Sequence, residues 1–163
     1  MEKTNIKAVR GFQEVSKEFK KHPGKSAVIP RRKTNSSMAY DFTSLETVTI
    51  QPGEWHHFWT DIKAFMPGHN GLILNVRSSI GFKKHCRLIN TAGWIDADYY
   101  NNEDNDGNIG ICLHNFGKEP ITIEEGERIA QGAFFTFHQT DDDWLYDKEV
   151  RKGGIGSTGE KDA

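Results

Sequence analysis

The stretch NIGICLHNFGKEPITIEEGERIAQGAFFTF, residues 108–137, decides the fold class. It contains three segments with the composition of β-strands, NIGICLHNF, ITI and RIAQGAFFTF, which are separated by turn residues. In the first segment Ile109, Ile111 and Leu113 recur with a period of two, so their side chains share one face of a strand. The stretch therefore predicts β-structure with one buried face.

The chain upstream of this stretch has the same pattern of short strand-like segments and turns. The segments ETVTI, WHHFWTDIKAFM and LILNV alternate with turn sequences such as QPGE and PGHNG. This pattern predicts an all-β domain with at most one or two short helices. One helix is expected in FQEVSKEFKKHPGK, where Phe12, Val15 and Phe19 have helical spacing and Pro23-Gly24 would end it.

Length and charge limit the classes of function. At 163 residues the chain is long enough for one domain with a core of its own, and its net charge of -2 does not favour nucleic acid or an anionic membrane as a partner. The N-terminus lacks the apolar core of a signal peptide and no window is apolar enough for a membrane span, so we expect a cytoplasmic protein. Cys86 and Cys112 are expected to be reduced and structural.

The predicted division of the chain is a single domain over residues 1–140 and a flexible C-terminal arm over residues 141–163. The arm carries RKGGIGSTG at residues 151–159, whose glycines and hydroxyls are typical of a loop that wraps around phosphate. A P-loop is followed by a helix, and the few residues after Gly159 leave no room for one.

Two groups of polar residues are candidates for a binding or catalytic site. Arg77, Ser78 and Ser79 follow the apolar strand GLILNV, where they suit either phosphate oxygens or a turn capped by serines. Asp96 and Asp98 in NTAGWIDADYY would point to one face of a strand with Ala97 opposite. Since two such carboxylates repel, at least one of them is expected to have a binding partner or a functional role. The alternative is that both lie on the exposed rim of a hairpin.

Three further positions are ambiguous when read singly. Arg128 and Gln131 lie in an otherwise apolar strand, where an ion-paired Arg and a solvent-facing Gln would explain them, and Asp41 in YDFTSLE fits a turn. His56 and His57 point to opposite faces of a strand and lack a third ligand nearby, which argues against zinc.

Taken in order, AYDF, RSSIGFKK, NTAGWIDADYY, ERIAQ and GGIGSTG resemble the five sequence motifs of the trimeric deoxyuridine triphosphatases, the dUTPases. The resemblance runs from about Ile6 to Gly159. It implies a jelly-roll, β-clip-like subunit and a homotrimer with active sites between subunits. The implied reaction is Mg²⁺-assisted hydrolysis of dUTP to dUMP and pyrophosphate by water attack at the α-phosphorus. It further implies that the arm crosses to a neighbouring subunit and closes over the triphosphate.

The resemblance also implies roles for single residues. Asp96 matches the carboxylate that activates the attacking water, and Asp98 matches a supporting residue of the same hairpin. Tyr99 matches the ring that leaves no space for a ribose 2′-hydroxyl. The uracil pocket is implied for the hairpin from Asn90 to Asp96, with Gly93 and Ile95.

Substrate contacts are implied for the second, fourth and fifth motifs, and those of Arg77, Ser78, Gln131 and Arg151 are to phosphate. The other residues of this set are Ser79, Ile155, Gly156, Ser157 and Thr158. Asp41 matches an acid that helps to hold the waters of the metal, and no residue is expected to bind the metal directly. Mg²⁺ itself should arrive on the triphosphate, because it keeps most of its waters and takes few protein ligands.

The sequence departs from the family pattern at several positions. Ile155 stands where an aromatic ring usually stacks on uracil, and Arg151 lies two residues before Gly-Gly instead of three. Ser79 replaces a glycine. The rim YNNEDNDGN is longer and more acidic than in most members.

Two alternatives to a dUTPase remain open at this point. The dCTP deaminases share the fold and the RSS motif, but Cys112 stands where their catalytic glutamate is expected. The second alternative is a regulatory module of dUTPase fold that responds to nucleotide by binding a partner.

Overall fold

A computed structural model describes residues 8–154 of the chain. It contains eleven strands: β1 (Gly11–Glu14), β2 (Tyr40–Thr43), β3 (Val48–Ile50), β4 (Trp55–Trp59), β5 (Ile62–Phe65), β6 (Asn70–Val76), β7 (Cys86–Leu88), β8 (Gly93–Asp96), β9 (Gly110–Asn115), β10 (Ile121–Ile123) and β11 (Arg128–Thr136). The helical segments are three 3₁₀ turns at Lys17–Phe19, Ala97–Tyr99 and Asp143–Leu145 and a π-helical turn at Ser79–Lys83. The all-β prediction is confirmed.

The strands form a four-stranded sheet in the order β2-β11-β6-β8, a three-stranded sheet β4-β9-β7, and the two-stranded pairs β1-β5 and β10-β3. All of these pairings are antiparallel. The predicted inward face of β9 is confirmed, because Ile109, Ile111 and Leu113 are each at most 1% exposed. They belong to one apolar core together with Phe42 and Leu72.

The predicted helix near the N-terminus is wrong. Gly11–Glu14 pairs with β5 as a strand, and only Lys17–Phe19 forms a 3₁₀ turn. Phe12 packs its ring against Phe42 and Phe134 of the four-stranded sheet. The helical spacing of its apolar residues therefore arises from a short strand that is followed by a turn.

The four-stranded sheet has one face in the core and one that faces outward. Cross-strand partners point to the same side, and the registers place Ile73, Ala133 and Trp94 in one outward row and Gly71, Phe135 and Asp96 in the next. Trp94 and Phe135 pack edge to face with their centroids 5.6 Å apart, and Trp94 remains 63% exposed. The middle of this outer face is apolar.

The arm is described as far as Gly154. Its apolar side chains are exposed, among them Trp144 at 80% and Val150 at 85%. Ile155, Gly156, Ser157 and Thr158 lie outside the described residues. None of the helical segments in the described part of the chain has the length and apolar character needed to cross a membrane.

Candidate active site

A cleft of about 740 Å³ lies on the outer face of the three-stranded sheet. Gly110 and Cys112 of β9 line it, and the His57 ring of β4 lies over Gly110. One wall is the segment from β7 to β8 with Asn90 and Ile95. The predicted hairpin is wrong, because β7 pairs with β9 and β8 pairs with β6. The predicted uracil-pocket residues Asn90, Gly93 and Ile95 thus line the same cleft as Asp96 and Tyr99.

The opposite wall is aromatic, and it is the part of the site that sequence reasoning missed. Trp55, His57 and Trp59 point outward from β4 at a period of two, which is the signal that could have revealed them. The His57 ring stacks on Trp59 at 4.3 Å between centroids. It also lies where a side chain at Gly110 would collide with it. Burial and the neighbouring His56 lower the pKa of His57, so its ring is neutral at neutral pH.

The two carboxylates Asp96 and Asp98 converge on one partner. The guanidinium of Arg151 donates to a carboxylate oxygen of Asp96 and, over 2.8 Å, to Oδ1 of Asp98. The expectation that such a pair needs a partner is confirmed. The geometry differs from the prediction, because the strand ends at Asp96 and Asp98 lies in the 3₁₀ turn Ala97–Tyr99.

The start of the glycine-rich motif therefore contacts the cleft of its own chain in this structure. The Asp104 N–H donates to the Lys152 carbonyl over 3.2 Å, and Gly154 packs against the ring of Tyr99. Both carboxylates bound by Arg151 keep about 60% of their side chains exposed, at 59% for Asp96 and 61% for Asp98.

Tyr99 is held at the end of the cleft by its phenol group. Its hydroxyl donates to the Asn108 carbonyl over 2.9 Å and accepts from Asn105 Nδ2 over 2.7 Å. Burial raises the pKa of the Tyr99 phenol, so the hydroxyl keeps the proton that it donates.

The other predicted site residues form a second cluster at the far end of the outer sheet face. Asp41 forms an ion pair with Arg77 Nε at 2.9 Å and accepts a hydrogen bond from Arg128 at 2.7 Å, so both of its oxygens are paired with guanidinium groups. Gln131 lies beside Asp41 in the strand register. Ser78 and Ser79 are exposed at the start of the π-helical turn. The reading of Arg128 as an ion-paired residue is confirmed.

The two clusters are far apart within one chain. Asp96 pairs with Gly71 at the start of β6, whereas Arg77 follows the end of that strand, six positions later. At about 3.3 Å per residue their backbones are about 20 Å apart along the strand. Arg77 of the same chain therefore cannot contact a phosphate at Asp96 while it is paired with Asp41.

Comparison with known proteins identifies the family of this chain. Residues 25–159 match the family model of the dUTPases. The chain belongs to the dUTPase family. A deoxyuridine 5′-triphosphate nucleotidohydrolase of Lactococcus lactis subsp. lactis (strain IL1403) is 44% identical over 151 residues, which cover 93% of this chain and 98% of that protein.

Two solved dUTPase structures have the same fold. The dUTPase of Streptococcus mutans superposes with a TM-score of 0.69 at 34% identity and covers 80% of this chain and 98% of its own. The dUTPase of Staphylococcus bacteriophage 80alpha has a TM-score of 0.63 at 25% identity, with coverage of 81% and 92%. It is described as controlling the transfer of virulence genes.

Proposed function

We propose that this dUTPase-family chain hydrolyses dUTP to dUMP and pyrophosphate, with Asp96 as the base that activates water for attack at the α-phosphorus. The observation that carries the proposal is the cleft that joins the segment from β7 to β8, Tyr99 and the exposed carboxylate of Asp96. A general base must lie within hydrogen-bond reach of the attacking water, and a carboxylate at the mouth of a cleft meets this condition.

The uracil ring lies between the two walls of the cleft. Exposed backbone and side-chain groups of Asn90, Gly93 and Ile95 pair with its edge, and the sugar packs on Tyr99. The aromatic wall of β4 provides flat surfaces beside the base, which is the geometry that favours stacking. This wall offers the uracil ring a stacking surface, which Ile155 of the arm does not provide.

Arg151 has two alternative partners in this proposal. In this structure it pairs with Asp96 and Asp98. A triphosphate carries more negative charge and accepts bidentate bonds from a guanidinium, so it competes for Arg151. The carboxylate of Asp96 is then free to accept a proton from water. Ile155, Gly156, Ser157 and Thr158 are proposed to close over the phosphates.

The active form is a homotrimer in which each site combines residues of different subunits. Asp41, Gln131 and Arg77 lie at one end of the outer face of the four-stranded sheet and Asp96 lies at the other. Packing the apolar middle of this face against other copies would bring the two ends together and bury Trp94. Arg77, Ser78, Ser79 and Gln131 then contact phosphate oxygens from the neighbouring subunit.

Enzymes of this family generally use Mg²⁺. Within residues 8–154 no three His, Cys, Asp or Glu side chains are close enough to hold a metal ion together. The exposed oxygens of Asp96 and Asp98 nevertheless fit an ion that enters with the nucleotide and takes few protein ligands. When bound, Mg²⁺ neutralises charge on the phosphates. The predicted contact of Asp41 with a water of the metal stays a prediction.

The two alternative functions differ in their support. Burial raises the pKa of the Cys112 thiol, which makes it a poor proton shuttle and disfavours a dCTP deaminase. The phage 80alpha relative favours a regulatory role beside catalysis, because that protein controls gene transfer.

Release of pyrophosphate from dUTP with Mg²⁺ tests the proposal, and Asp96→Asn is the decisive variant. Its turnover should fall by about 10²–10⁴, the usual contribution of a general base, while a non-hydrolysable dUTP analogue still binds. Asp98→Asn is the matched control, because it removes the other charge on Arg151, and it should lose less than about tenfold.

Near wild-type turnover in Asp96→Asn would contradict the base assignment. Ammonia from dCTP would support a deaminase. Tight binding of dUTP without turnover by the wild-type chain would support a module that acts only by binding.

A further inference from the structure

The segment of residues 101–108, which we call the asparagine loop, is polar, yet five of its eight residues are buried. The relative exposures of Asn102, Asn105, Asp106 and Asn108 are 5%, 9%, 6% and 0%. Buried polar side chains are retained only where they are hydrogen-bonded, so this loop has a defined internal structure. It directly follows Tyr99 at the end of the cleft.

Two contacts anchor the asparagine loop to the sheets. Asp106 is paired with Lys63 of β5 at 2.8 Å and accepts a bond of 2.6 Å from the Ser16 N–H. Asn108 exchanges bonds with Asp61, accepting from its N–H over 3.0 Å and donating to its carboxylate over 2.9 Å. The loop is therefore fixed to β5, to Asp61 just before it and to Ser16 in the segment after β1.

From this anchored position the loop contacts Tyr99 at both ends of the residue. Asn105 Nδ2 and the Asn108 carbonyl bind the phenol oxygen, at 2.7 Å and 2.9 Å. Asn102 Nδ2 donates to the backbone carbonyl of Tyr99 over 2.7 Å. Gly107 closes the loop with a φ of +85°, where a Cβ atom would lie 2.8 Å from that same carbonyl oxygen.

The orientation of the Asn105 amide is determined by its neighbours. Its Oδ1 accepts from the Gly107 N–H over 3.0 Å and from Asn102 Nδ2 over 2.8 Å. With the carbonyl oxygen held by two donors, the amide nitrogen must face Tyr99. The phenol thus has one fixed donor and one fixed acceptor, which leaves its ring a single orientation.

We propose that Asn105 is a positioning residue that sets the preference for deoxyribose over ribose by fixing the ring of Tyr99. The inference rests on the proposed function, in which Tyr99 packs against the sugar. Steric exclusion of a hydroxyl works only if the excluding ring cannot turn away, and side chains at such sites need support to well within an ångström. The asparagine loop supplies that support.

The experiment compares kcat/KM for dUTP with kcat/KM for UTP. Asn105→Ala should lower this ratio by about tenfold, the size of one hydrogen bond expressed as a ratio, mainly through faster turnover of UTP. Asn115→Ala is the matched control. Asn115 is also buried and donates to two backbone carbonyls, of Ile50 and Glu119, but it lies outside the cleft. It should lower the melting temperature and leave the ratio unchanged.

Tyr99→Phe tests the same inference from the other side of the hydrogen bond. It removes the phenol oxygen and keeps the ring and the hydrogen bonds inside the loop. It should lower the ratio about as much as Asn105→Ala, and the double variant should fall little further. It also decides the matter if Asn105→Ala does not fold.

An unchanged ratio in Tyr99→Phe, or an equal fall in Asn115→Ala, would overturn the inference. Either result, with a wild-type chain that hydrolyses dUTP, leaves the proposed function intact. A wild-type chain that releases no pyrophosphate from dUTP would instead contradict the proposed function itself.

Discussion

Lys63 is a charged residue with only 9% of its side chain exposed, and its ammonium group is held by Asp106 and Asn101. Burial would raise the pKa of Asp106, but hydrogen bonds from Lys63 and from Ser16 outweigh this effect and lower the pKa below 3.8. Asp106 therefore releases its proton more easily in the folded chain than in the unfolded one. Its stabilising contribution is present above about pH 4 and is lost as the pH falls below 3.8.

Asp106→Asn should cost about 3–5 kcal/mol of unfolding free energy at pH 7, because it leaves Lys63 buried without a counter-charge. The difference from wild type should shrink as the pH is lowered from 4 to 2, since the unfolded wild-type chain then gains a proton at Asp106 that the folded chain, with its lowered pKa, takes up less readily. Urea unfolding at several pH values and one protein concentration measures both effects.

Glu125→Gln is the control, because Glu125 pairs with Lys25 at the surface with 55% of its side chain exposed. It should cost less than about 1 kcal/mol at every pH. If Asp106→Asn lowers the unfolding free energy by the same amount at every pH down to 2, this would contradict a charged Asp106–Lys63 pair in the folded chain.

At the scale of elements, the arm combines weak packing with specific polar contacts. Its apolar residues Trp144, Leu145 and Val150 are exposed, whereas Arg151 is paired and Gly153 is buried. An element of this kind adds little to the stability of the fold and can change partners. The N-terminal segment is the opposite case, since β1 has its backbone paired with β5 and Val15 is buried at 4%.

A chain truncated after Val150 should lose dUTP turnover by at least about a hundredfold, because Arg151 and the motif that follows it no longer contact the phosphates. Its melting temperature without ligand should change by only about 2–4 °C, as expected for the loss of surface ion pairs. Calorimetry and a pyrophosphate assay measure the two effects separately. A large fall in melting temperature would show that the arm is part of the folded core.

At the scale of the whole molecule, the residues that we assign to the site lie in two separate places on one subunit. The segment from β7 to β8, Tyr99 and Asp96 line the cleft, while Arg77 and Gln131 lie at the other end of the outer sheet face. In the single chain the arm contacts its own Asp96. Crossing of the arm to a neighbour would be a rearrangement that accompanies assembly or nucleotide binding.

Mixed trimers test this crossing. Copies carrying Asp96→Asn, mixed equally with copies truncated after Val150, should regain activity at roughly a quarter of the sites if base and arm come from different subunits. Each variant measured separately gives the background, and native mass spectrometry confirms that the subunits have mixed. Mixed trimers without activity would mean that the arm serves its own subunit, with the contacts seen in the single chain.

The strands and one side of the cleft could be predicted from the sequence because their signals are local. The alternation of Ile109, Ile111 and Leu113 predicts a buried strand face, and it is buried. The motif NTAGWIDADYY carries Asn90, Asp96 and Tyr99 in one short segment that ends in a 3₁₀ turn, and all three line the cleft. The helix predicted from Phe12 to Phe19 failed because a single apolar spacing fits both a helix and a strand with a turn.

The sequence by itself determined that this is an all-β member of the dUTPase family, because its motifs are short and each is carried by neighbouring residues. Only the tertiary structure decided which distant residues meet. Arg151 reaches Asp96 across 55 positions, Lys63 pairs with Asp106 across 43, and His57 closes over Gly110. The physical reason is that such contacts depend on how strands and loops pack, and packing is set by the whole chain and not by the residues on either side.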